Sequence, residues 1–140
     1  MHKTSSGFAG LLLLLLASSG HAQIVKITPI DKQRLLIKKL QLIARTEALP
    51  SPVRNEFARA AHSKTFRMAD PGQEYQVTDV VAKEGLPSRR FIFAGLTNDL
   101  CVLHYEHGGI GHGYDLVLFH LSGGKARFVW HGWARRNIQI

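Results

Sequence analysis

The feature that most constrains this chain is a series of apolar runs broken by glycine turns over residues 100–131, LCVLHYEHGGIGHGYDLVLFHLSGGKARFVWH. Two β-prone runs flank His107-Gly108-Gly109-Ile110-Gly111-His112, and a third, residues 126–130, follows Ser122-Gly123-Gly124. Runs rich in β-branched and aromatic residues, bounded by short Gly-containing turns, read as an antiparallel meander. The pattern predicts strands over residues 89–95, 100–106, 113–121 and 126–132, with Leu96-Thr97-Asn98-Asp99 as the first turn. Residues 75–82 (YQVTDVVA) are β-prone and offer a fifth strand.

Helical signals precede the sheet. Thr28-Pro29 supplies an N-cap followed by a proline suited to the first turn, and Asp31 favours the positive end of a helix. The spacing predicts a helix over residues 29–48, stopped at Leu49-Pro50 because a residue before proline resists helical angles. Ser51-Pro52 repeats the device, and Val53, Phe57, Ala60 and Ala61 form an apolar stripe, which predicts a second helix over 52–63. The expected fold class is α+β: two N-terminal helices packed on a four- to five-stranded, mainly antiparallel meander sheet.

The first 22 residues read as an address. A short basic start (His2, Lys3) leads into an apolar run around residues 11–16, and Gly20 and Ala22 stand at −3 and −1 of a cleavage point. The run is too short to span a bilayer, which takes about 20 apolar residues, so a cleaved Sec-type signal peptide is expected and no transmembrane segment after it. Residues 23–140 then form a single domain, exported to the periplasm or beyond. A lone cysteine, Cys101, cannot form an internal disulfide, and its place in an apolar strand predicts burial.

Charge narrows the partners. The chain carries a formal +8, and losing Lys3 with the leader makes it +7. A basic exported protein meets anionic envelope components or acidic protein surfaces, while export argues against nucleic acid. The residues assigned to such contacts are Tyr105, Tyr114 and Trp133, of types enriched at interfaces, with Arg135 and Arg136 supplying charge. This makes a non-catalytic binding protein the leading expectation.

The alternative is metal. Five of the six histidines outside the leader fall in residues 100–131. If His107 opposes His112 across a four-residue turn, His104 faces Asp115, and both share a sheet face with Glu106. His104, Glu106, His107, His112 and Asp115 would then offer nitrogen and oxygen ligands to zinc or copper, although their spacing matches no zinc signature. No catalytic residue is assigned. Cys101 and His104, three apart on a strand, face opposite ways, and Cys101 lies only diagonally from His120.

Overall fold

The structure, a computed structural model, describes residues 40–80 and 83–137. The expected leader (1–22), the first part of the expected first helix and the end of the 75–82 run therefore lie outside the described residues. Within the described residues the sheet has five strands in simple sequence order, all antiparallel: β1 (Gln41–Ile43), β2 (Arg89–Leu96), β3 (Leu100–His107), β4 (Gly113–Ser122) and β5 (Lys125–Ala134). Among the described residues one α-helix, α1 (Ser51–Ala60), packs on one face, preceded by a 3-10 turn at Thr46–Ala48.

The meander is as expected and the helices are not. Among the described residues there is one α-helix, which corresponds to the expected second one, and residues 29–39 of the expected first lie outside them. Residues 40–48, expected at the end of the first helix, contain β1 and the 3-10 turn instead. The reason is the edge of β2: the groups of Ala94, Gly95 and Leu96 not used by β3 pair with Ile43, Leu42 and Gln41. Pairing with an existing sheet overrides local helix preference. Leu40 packs on Gly95, where even a Cβ would come within 3.0 Å of its Cδ1. The 75–82 run is not a strand in its described part. It crosses the hairpin end as irregular chain, with Tyr75 buried.

Helix α1 begins one residue earlier than Ser51-Pro52 implied. Pro50 takes the N-cap position, Ser51 is already helical, and no side chain caps the start. Val53, Phe57 and Ala58 are buried against the sheet. The helix ends with His62 at φ 52°, the Ser63 N–H donating to the Ala58 carbonyl (2.9 Å) and the His62 N–H to that of Arg59 (3.1 Å). This is a Schellman termination with histidine where glycine is usual.

The main core lies between α1 and the sheet, built from Leu49, Val53, Phe57, Phe91, Leu103 and Phe119, with Cys101 among them. A smaller cluster of Leu100, Val102 and Leu118, backed by Trp130, occupies the other face. The β4–β5 turn is the two-residue Gly123-Gly124, with φ 56° and 71°. Positive φ at both positions is the primed geometry that matches strand twist, and it favours glycine at each.

Candidate functional site

Three local irregularities set which side chains meet. The first is the length of the β3–β4 turn. His107 pairs with Gly113, not His112, so the turn holds five residues and Tyr105 faces Asp115. The space opposite His107 suits glycine: a Cβ on Gly113 would lie 2.0 Å from Trp133 Nε1 and 3.0 Å from His107 Cε1, so the Trp133 ring would have to move to admit one. Gly108 is confined by main chain, its Cβ position 1.9 Å from the Gln76 carbonyl oxygen. A one-residue difference in register turns a whole strand over. Asp115 therefore lies on the face of Tyr105, not with His104 and Glu106 as the four-residue turn implied.

The other two irregularities are bulges. In β2 the pairing shifts between Phe91 and Phe93, leaving Ile92 as the extra residue. Regular pairing would have placed Arg90 opposite His107. The bulge places Arg89 there and sets Arg90 opposite Glu106. In β5 the pairing shifts around Val129, so His131 pairs with Val117 rather than Leu116 and shares the face of Asp115. Beside that bulge, the Phe128 N–H donates to Glu56 Oε1 of α1 (2.9 Å).

Two polar clusters result, one on each face. On the helix side, the buried Asp115 carboxylate takes His131 Nε2 on Oδ1 (2.5 Å) and His107 Nδ1 on Oδ2. Burial pushes its pKa up, but the bonds from His131 and His107 outweigh that and hold it below the ordinary carboxylate value. On the other face, the buried Glu106 accepts from Tyr75 Oη (2.9 Å), Arg90 Nε (2.6 Å) and His112 Nε2 (2.9 Å). Its pKa too is lowered: burial opposes, and the His112, Arg90 and Tyr75 bonds prevail. Arg90 also stacks on Tyr75, 4.6 Å from the ring centre. This cluster ties the 69–80 segment to the sheet.

His104 belongs to neither cluster. It is fully buried, with Phe93 5.0 Å away between ring centres. Nδ1 lies 2.7 Å from the Asp115 backbone carbonyl and Nε2 lies 2.8 Å from the Asn137 side-chain amide. A carbonyl only accepts, so Nδ1–H donates, and the Asn137 amide, whose two ends exchange by rotation, closes the other nitrogen. The expected pairing of His104 with the Asp115 carboxylate is replaced by a bond to its main chain.

The five metal candidates are thus divided. His107 and Asp115 lie on the helix face, Glu106 and His112 on the other, and both ring nitrogens of His104 are already engaged. Among the described residues no three His, Cys, Asp or Glu side chains form a group able to hold a metal ion. The partner-contact candidates are divided as well. Tyr105 is buried under α1, Tyr114 is half-buried on the opposite face, and Trp133 is 53% exposed. Arg135 and Arg136 are exposed beyond the end of β5.

What does converge is a cavity of about 370 Å³ between the C-terminal half of α1 and strands β2 to β5. Phe57, Tyr105, Val117 and Phe128 form apolar walls, and Arg59, Arg89 and His131 bring nitrogen groups to it. Arg59 is held by Glu56 through two bonds of 2.7 and 2.8 Å. Arg89 differs: its guanidinium lies over the rings of Phe57 (5.6 Å) and Tyr105 (6.0 Å), and no carboxylate among the described residues pairs with it. Burial, and then the Asp115 charge, push the Tyr105 hydroxyl up to about 12, so it stays an O–H donor at neutral pH. The sequence reading did not assemble Phe57, Arg89 and His131 into a site. Two bulges decide where Arg89 and His131 point, and no glycine or proline marks either bulge in the sequence.

No protein-family model, no curated protein and no solved structure matches the chain.

Proposed function

We propose that this chain is an exported binding protein that captures an anionic partner, with the cavity between α1 and the sheet as its ligand site. The observation that carries the reading is Arg89. A half-buried guanidinium with no carboxylate partner among the described residues stands at the wall of a mostly apolar cavity. Arg89 also meets the Tyr105 hydroxyl through a side-chain hydrogen bond, and the planar fork of its five N–H donors has the geometry to match a two-oxygen anion as well. Apolar walls with a few convergent polar groups are the usual make-up of a small-ligand site. The overall positive charge supports the sign of the partner by drawing anions toward the surface.

Naphthalene-2-sulfonate, a small fluorescent apolar anion, tests the reading by titration. One saturable site per chain is expected, weakened about 10-fold or more by Arg89→Glu in a protein whose melting temperature is unchanged. Absence of saturable binding, or equal binding by the variant, would refute it. Export is tested separately: expression of the full chain in a Sec-competent host should yield a product whose N-terminal sequence begins at Gln23.

A further inference from the structure

The charge arrangement around the cavity defines the ligand more closely. Resting on the binding reading above, we infer that the ligand is a small apolar monocarboxylate of about a dozen non-hydrogen atoms. Size follows from volume: 370 Å³ is space for roughly a dozen waters at about 30 Å³ each. Charge follows from the partners of each polar group. Arg59 is taken by Glu56 and His131 by Asp115, so two carboxylates stand directly behind these nitrogen groups of the wall. Of Arg59, Arg89 and His131, Arg89 alone lacks a carboxylate partner within the described residues. One available guanidinium suits one negative charge, and the Glu56 and Asp115 carboxylates would repel a second. Shape follows from the walls. Phe57, Tyr105, Val117 and Phe128 offer apolar surface for a hydrocarbon body, while the protonated Tyr105 hydroxyl adds a donor near Arg89. A phosphate monoester fits less well: it carries close to two charges at neutral pH and three oxygens that need donors.

Calorimetric titration of the purified full-length product with octanoate, 1-octanol and octyl phosphate tests this. Octanoate should bind one per chain, at least 10-fold tighter than either of the others. Arg89→Gln should erase the preference for octanoate over octanol while leaving octanol affinity within about twofold, because a charge-assisted bond of this kind is worth about 10- to 100-fold. Ala60→Trp, at an exposed helix position lining the cavity, should weaken octanoate and octanol alike without disturbing the fold. Octyl phosphate binding tighter than octanoate would overturn the inference, as would a preference that survives Arg89→Gln. Capture of naphthalene-2-sulfonate through Arg89 without capture of octanoate would overturn the carboxylate assignment alone. Failure of all these ligands would remove the binding reading as well.

Discussion

Asp115→Asn is the substitution that most directly tests the account of the helix-face cluster. The carboxylate is 4% exposed and each oxygen takes one imidazole nitrogen. The amide keeps the shape, leaves one oxygen as an acceptor and removes the charge. A hydrogen bond to a charged group contributes about 1.5–3 kcal/mol net. His107 and His131 have side chains 27% and 45% exposed, so water recovers part of what they lose. The expected loss is therefore about 2–3 kcal/mol at pH 7. At about 4–8 °C per kcal/mol for a domain near this size, the melting temperature should fall by about 10–20 °C. The pH dependence has a fixed sign. A carboxyl whose folded pKa is depressed contributes stability that is complete above its ordinary value near 3.8 and is lost as pH falls through the folded value. The gap between wild type and Asp115→Asn should thus be full at pH 7 and close as the pH drops below 3.8 toward 2. Thermal melts followed by circular dichroism across that range provide the assay. A gap below about 0.5 kcal/mol at pH 7, or one of equal size at pH 2.5, would refute the claim that the ionised carboxylate holds the two histidines.

Four further outcomes are expected. Glu106→Ala, which frees Tyr75, Arg90 and His112 together, should release the 69–80 segment and speed limited proteolysis there, with β3 to β5 still protected. His62→Gly should stabilise the chain by about 0.5–1 kcal/mol, read as a higher urea midpoint at unchanged slope, because glycine adopts the positive φ of the Schellman position without strain. The Cys101 thiol, buried and pushed up to about 12 by desolvation, should resist Ellman's reagent in native protein and react fully in guanidinium. In calorimetric zinc titration of untagged protein, His104→Ala should leave any measured affinity unchanged, since both ring nitrogens are already engaged; a tenfold loss would overturn that geometry.

How much was written in the sequence differs by element. The meander was legible because its signals are local: β-prone runs, the Thr97-Asn98-Asp99 turn and the paired glycines at 123 and 124 act within a few residues of themselves. In the turn before β3, Thr97 Oγ1 accepts the Leu100 N–H (3.0 Å) and donates to Asp99 Oδ1 (2.9 Å), a short-range device visible in the residue types. Helix α1 and the burial of Cys101 were legible for the same reason. Residues 40–48 were not, because their partner is the edge of a strand some fifty residues away, and helical periodicity carries no information about that edge.

The site was decided almost wholly by tertiary structure. Side chains in a strand alternate with period two, so a single inserted residue exchanges the two faces. A five-residue turn in place of four moved Asp115 to the helix side, the bulge at Ile92 exchanged Arg89 and Arg90, and the bulge at Val129 brought His131 to Asp115. Each is fixed by contacts distant in sequence: Trp133 over Gly113, the main chain of Ala69 on Arg89 and Phe91, and Glu56 on the Phe128 N–H. The sequence by itself therefore determined that strands would form, in what order, and which residues were available for chemistry. Which of those residues share a face depended on one-residue offsets that only the packed fold could set.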